Sequence, residues 1–178
     1  MHDRWPSSLP RFAVIGRSNS GKTTLLRQLV AAMSARGYRV GTVKHATHAI
    51  ALDVEGKDSQ RHAAAGANRV LLVGPGMAVG FVHREAPTEL EGWVPFFEDH
   101  VDLVLVEGFK RTPMPGVWVE VGAVVEPELE ASVTLDGEGH AWRLTRPEGP
   151  LDPERGFPAE LVARLVSGLE QLIARAGG

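Results

Sequence analysis

Gly16-Arg17-Ser18-Asn19-Ser20-Gly21-Lys22-Thr23 meets the pattern G-x-x-x-x-G-K-[ST] at every fixed position, and Thr24 follows directly. The pattern has a physical rationale. Glycines allow a tight turn whose backbone N–H groups can converge on phosphate oxygens. A helix starting at the end of the turn adds its positive N-terminal end to the same anion. Lys22 supplies a mobile cation for β- and γ-phosphates, and the Thr23 hydroxyl a ligand for magnesium. The segment from Gly16 to Thr24 is therefore expected to bind a nucleoside triphosphate with Mg2+.

The flanks suit such a loop. Residues 11–15 are a short apolar run stopped by glycine, as expected of a buried strand. Residues 22–36 then place Leu25, Leu26, Leu29, Val30 and Met33 along one helical stripe, with Gly37 as a C-cap. Residues 39–44 read as a second strand, completing a β-α-β unit with parallel strands. Further on, 58–65 reads as a helix ended by Gly66, and 69–73 and 77–83 as an antiparallel hairpin around Gly74-Pro75-Gly76. Thr88, with Glu91 three residues on, predicts a capped helix through Glu98. An apolar strand at 102–106 ends in Glu107-Gly108. Short strands at 117–121, 131–135 and 141–144, a proline-rich loop at 146–158, and a closing amphipathic helix complete the chain. The alternation predicts an α/β fold of P-loop NTPase type: a mostly parallel sheet flanked by helices, with a β-hairpin and antiparallel additions.

A phosphate loop of this kind works with an acidic residue on a neighbouring strand. Asp102 and Glu107 bracket one strand, roughly 16 Å apart at the usual rise per residue. Ligands of parallel sheets bind at the carboxyl ends of strands, so Glu107 is the expected magnesium partner of Thr23 and Asp102 belongs at the opposite edge. Asp53, Glu55 and Asp58 follow the second strand on the ligand edge. Each is a candidate to orient a water molecule or to bind magnesium through water, and Asp58 is equally a candidate cap for the next helix. Lys44-His45-Ala46-Thr47-His48 lies on that edge too, although two histidines alone do not make a zinc site.

Composition limits the rest. The 178 residues are 43% apolar and 23% charged, as in a soluble globular protein, and fit one domain, 1–178, with residues 1–10 as a flexible start. The net charge of -3 and the lack of a basic block argue against a nucleic-acid partner. Absent cysteine rules out disulfides and suits a cytoplasmic protein, and no apolar run is long enough to span a membrane.

The combination Val43-Lys44-His45 with His48, Gly56-Lys57-Asp58-Ser59, Ala65-Gly66-Ala67 and Val106-Glu107-Gly108-Phe109-Lys110 resembles the MobB family, over about residues 11–120. The resemblance implies a homodimeric GTP-binding protein with weak GTPase activity. It implies work beside the guanylyltransferase that attaches GMP to molybdopterin, with molybdopterin itself a possible ligand. Lys22 and Asp58 are then the candidate catalytic residues. Lys44 and His45 join Gly16 to Thr24 as candidate nucleotide contacts, and Lys110 matches another family position. Arg17 stands where some related dimeric NTPases place a lysine that reaches the partner's nucleotide. The N-K-x-D guanine-reading motif of many GTPases is absent, so GTP rests on the resemblance alone. The rival reading is a small-molecule kinase or ATP-dependent ligase on the same fold, with Lys44 and His45 holding an acceptor. A nucleotide-binding module without turnover is the third.

Overall fold

The computed structural model describes residues 8–46, 58–82, 86–112, 114–123, 127–135, 139–152 and 155–177. Its strands are β1 (Arg11–Gly16), β2 (Val40–Lys44), β3 (Arg69–Gly74), β4 (Met77–Val82), β5 (Leu103–Glu107), β6 (Gly116–Val121), β7 (Glu128–Leu135) and β8 (Gly139–Arg146). Its helices are α1 (Lys22–Ser34), α2 (Asp58–Ala64), α3 (Val94–Phe97) and α4 (Ala159–Ala176). Six strands form one sheet in the order β2-β5-β1-β6-β8-β7, parallel except for β7, which runs antiparallel to β8. β3 and β4 pair antiparallel in a separate two-stranded sheet. The expected mostly parallel sheet, hairpin and antiparallel addition are all present.

Alternation along the central strands divides the core. Phe12 and Val14 of β1, Leu103 and Leu105 of β5, and Val117 and Val119 of β6 face the layer made by α1 and α4. Ala13, Ile15, Val104 and Val106 face the other side, against Leu90 and Phe97. This double-sided burial explains why β1 and β5 read as continuous apolar runs rather than alternating ones. On α1, Leu25, Leu29 and Met33 are fully buried. Each such side chain contributes about 1.5–3 kcal/mol of hydrophobic stabilisation. α4 buries Leu161, Val162, Leu165, Val166 and Leu169 against the same face.

β1 and β2 are parallel through α1, as expected, and β5 lies between them. One expectation changes. The helix expected from Thr88 to Glu98 is a 3₁₀ turn, Leu90–Trp93, followed by the single turn of α3. Glu89, not Thr88, occupies the N-cap, and no side chain caps it. Pro95 lacks an N–H and sits where a continuous helix would need one. Glu91 is engaged elsewhere, in an ion pair with Arg11 at 2.8 Å.

Candidate functional site

The carboxyl ends of β1, β2 and β5 meet at the phosphate loop. β1 ends on Gly16, whose φ of 151° and tight surroundings exclude a side chain: a Cβ would approach the Val119 carbonyl oxygen to 2.2 Å. Gly21, with φ of 103°, forms the N-cap of α1, and a Cβ there would lie 3.1 Å from both Leu151 and Phe157. Asn19 takes a left-handed φ of 60° between them, a conformation asparagine adopts more readily than most residues. The glycines of the motif are thus required by backbone shape and by close approach together.

At the opening of α1, the Thr23 hydroxyl lies 3.1 and 3.0 Å from the two carboxylate oxygens of Glu107. Glu107 is the last residue of β5 and is buried. The Lys44 ammonium at the end of β2 approaches the same carboxylate to 3.5 Å. Register explains the convergence: Lys44 and Val14 flank Glu107 in the parallel ladders. The Lys22 ammonium donates to the Arg17 carbonyl. Partial burial pushes its pKa below the usual lysine range; Glu107 acts the other way, and the charges of Lys110 and Lys44 push it further down. Such crowding of cations favours an anion beside them.

Ser18, Asn19, Gly21, Lys22, Thr23 and Thr24 border a cavity of about 610 Å3 together with Glu107 and Lys44. An adjoining cavity of about 980 Å3 shares Ser18, Lys22, Lys44 and Glu107 and continues past Gly16 to His45, Phe109 and Lys110. The His45 backbone N–H donates to the Glu107 carbonyl at 2.9 Å, and its ring stacks on Phe109 at 4.6 Å. Phe109 holds a left-handed φ of 48°, a costly conformation for an aromatic residue, beside the site. The Lys110 ammonium rests 5.8 Å from the Trp118 ring centre. A larger cavity, about 1370 Å3, runs along α1 and the start of α4 but touches neither the phosphate loop nor Glu107. The chemistry gathers in the smaller pair.

Arg17 is exposed at the loop tip. The Ser20 hydroxyl is buried and, among the described residues, has no hydrogen-bond partner. Asp58 opens α2, but its side chain lies outside the described residues, as do His48, Asp53 and Glu55. Asp102 stands at the opposite edge, just before β5, paired with Arg39 at 2.7 Å.

The sequence reading missed Arg146. It is only 5% exposed at the end of β8, and its guanidinium donates to the Ser20 and Asn19 carbonyls at 2.9 and 3.0 Å. Reading the strand as ending at 144 put Arg146 in a loop; in the structure β8 continues to Arg146 and runs parallel to β6, so its carboxyl end falls on the ligand edge.

A sequence profile described as "Molybdopterin guanine dinucleotide synthesis protein B", MobB, matches residues 12–134. The molybdopterin-guanine dinucleotide biosynthesis adapter protein of Haemophilus influenzae is 36% identical over 122 residues, covering 68% of this chain and 68% of that protein. The protein of the same description from Escherichia coli is 37% identical over 108 residues, covering 58% of this chain and 61% of its own length. The chain thus spans about two thirds or less of these curated relatives. The crystal structure of Bacillus subtilis MobB superposes with a TM-score of 0.53 at 32% identity, over 66% of this chain and 69% of that one. A second solved structure, of molybdopterin-guanine biosynthesis protein B, gives 0.56 at 20% identity over 92% of this chain and 99% of that one, a likeness of fold. With this profile match over most of its length and a phosphate loop set against the acid at the end of β5, the chain belongs to the MobB family.

Proposed function

We propose that this chain binds GTP with magnesium and acts as an adaptor in molybdenum cofactor biosynthesis, beside the guanylyltransferase that attaches GMP to molybdopterin. The observation that carries the nucleotide reading is the Thr23 hydroxyl on the Glu107 carboxylate at the mouth of the phosphate loop. The adaptor reading draws on the relatives described as adapter proteins of molybdopterin-guanine dinucleotide biosynthesis.

Hydroxyl and carboxylate oxygens are hard donors that suit magnesium, so Thr23 and Glu107 fit the ion in type and position. Magnesium, when bound, neutralises charge on the β- and γ-phosphates. The loop from Gly16 to Thr24 cradles the phosphates through its amides. Lys22 leaves the Arg17 carbonyl for the β- and γ-phosphate oxygens, where it stabilises charge building up during transfer. Lys44 and His45 border the same mouth and are the residues we assign to contact with the terminal phosphate. Asp58, the first residue of α2, is the residue we assign to orienting the attacking water. Hydrolysis is slow, in keeping with an adaptor whose bound nucleotide stabilises a complex.

In this reading the chain acts as one domain, forms a homodimer and works in the cytoplasm. No described helix is long and apolar enough to cross a membrane. Calorimetric titration with GTP and ATP in magnesium, with Lys22→Ala as control, tests this reading. GTP preferred over ATP, and binding sharply weakened by Lys22→Ala, is the expected result. Clear ATP preference with rapid phosphate transfer to a metabolite would replace the adaptor by a kinase or ligase. Undiminished binding by Lys22→Ala would remove the phosphate-loop assignment.

A further inference from the structure

The end of β8 and the segment joining it to α4 lie beyond residues 12–134, where the family profile ends, yet they are fastened to the phosphate loop and to α1 at three points. Arg146 is the first. Its Nε donates to the Ser20 carbonyl at 2.9 Å and Nη2 to the Asn19 carbonyl at 3.0 Å, while Nη1 serves the Pro147 and Gly149 carbonyls at 2.9 and 2.8 Å. One buried guanidinium therefore holds two peptide units of the loop and two carbonyls of its own turn. The second point is Gly21, packed under Leu151 and Phe157, each of which a Cβ would crowd at 3.1 Å. The third is a reciprocal pair on α1: Gln28 Nε2 donates to the Phe157 carbonyl at 2.8 Å, and the Phe157 N–H donates to Gln28 Oε1 at 2.9 Å.

Arg146 does more than fasten. In a trans peptide the carbonyl and the following N–H point to opposite sides. Anchoring the Asn19 and Ser20 carbonyls thus sets the direction of the Ser20 and Gly21 N–H groups. A carbonyl free to swing into the cavity would present partial negative charge to a phosphate. Charge-assisted donation by the guanidinium removes that freedom. Arg146 also borders the loop cavity and is buried, so its positive charge would lie beside a bound triphosphate while largely shielded from bulk water. Lysine cannot reproduce this, since four carbonyls in two directions need a planar fork.

We infer that Arg146 is a positioning residue for the phosphate loop, and that Gly149, Pro150 and Leu151 after it are part of the triphosphate site. The inference rests on the nucleotide reading above. The probe that separates the two is inorganic tripolyphosphate with Mg2+, titrated beside GTP and ATP into wild type, Arg146→Gln and Arg146→Lys. Affinity of Arg146→Gln is expected to fall by about tenfold or more, as for loss of charge-assisted hydrogen bonds, and to fall equally for all three ligands because no base is involved. Arg146→Lys should recover part of the loss. A folded Arg146→Gln that melts earlier but binds tripolyphosphate as tightly as wild type would overturn the positioning role and leave a purely structural one.

If Arg146→Gln does not fold, Arg146→Lys decides by the same comparison. Amide hydrogen exchange on wild type gives an independent reading. Tripolyphosphate should slow exchange at Glu148, Gly149 and Leu151, and unchanged exchange there would overturn the coupling. If wild type binds neither tripolyphosphate nor nucleotide, the nucleotide reading itself has failed and the role of Arg146 falls with it.

Discussion

Lys22 carries two opposed requirements. Partial burial and the nearby Lys110 and Lys44 charges lower its pKa, while Glu107 restores part of the loss. In the free protein the charged form is therefore disfavoured relative to the unfolded chain. The unfolded state binds more protons between the two pKa values, so this group makes stability rise with pH across that alkaline window. A bound triphosphate brings negative charge and reverses the shift, raising the Lys22 pKa. Binding should then take up protons, and affinity should fall as pH rises through the free-protein value. Calorimetric titration over the alkaline range checks this. Lys22→Arg, whose guanidinium does not titrate there, is expected to flatten the profile at weaker overall affinity. A wild-type affinity independent of alkaline pH would refute the account. At this scale the pairing of Thr23 with Glu107 rather than Asp102 was legible, because strand polarity alone sorts the two acids to opposite edges. Arg146 was not, because its partners are carbonyls 126 and 127 residues away, which leave no local trace in sequence.

At the scale of elements, Arg39 and Asp102 cross-connect the edge opposite the site. Arg39, just before β2, donates from its side chain to Asp102, just before β5, at 2.7 Å, and its backbone N–H donates to the same carboxylate at 2.7 Å. The Arg39 side-chain hydrogen bond, then its backbone one, holds the Asp102 carboxyl below the usual aspartate range. A depressed acid pKa stabilises the fold above the unfolded value, and the contribution is lost as pH falls through the folded value. Asp102→Asn should therefore lower the melting temperature by only a few degrees at neutral pH, both groups being well solvated. The difference from wild type should close in acid, below the usual aspartate range; one that persists there would exclude the ionised pair as its cause. Elements whose signal is local were legible: β1 and α1 follow from an apolar run and a stripe of Leu25, Leu29 and Met33. The 88–98 region was not, because the Thr88/Glu91 capping signal competes with Pro95 and with the Arg11–Glu91 ion pair, which only tertiary structure reveals.

The order β2-β5-β1-β6-β8-β7 shows what the whole molecule adds. β-α-β reasoning gave parallel direction, but neighbour choice depends on which apolar faces fit over α1 and α4, and no local pattern encodes it. The hairpin is the converse case, legible as a unit but not as a surface. Leu71, Val73 and Met77 are 67%, 76% and 69% exposed on β3 and β4, which stand apart from the main sheet. Exposed aliphatic side chains on a two-stranded sheet with open edges favour pairing with a second copy. This hairpin is the surface we propose for the homodimer. Leu71→Asp with Val73→Asp should shift the protein from dimer to monomer by sedimentation equilibrium. The phosphate loop belongs to the other sheet, so Mg2+–tripolyphosphate binding to each chain should be retained. A double variant that remains dimeric at micromolar concentration would move the interface elsewhere. Arg17, exposed at the loop tip, supplies the further check. If it serves the partner's nucleotide, the monomeric variant and Arg17→Ala should lose the same share of GTP turnover, and combining them should cost nothing more.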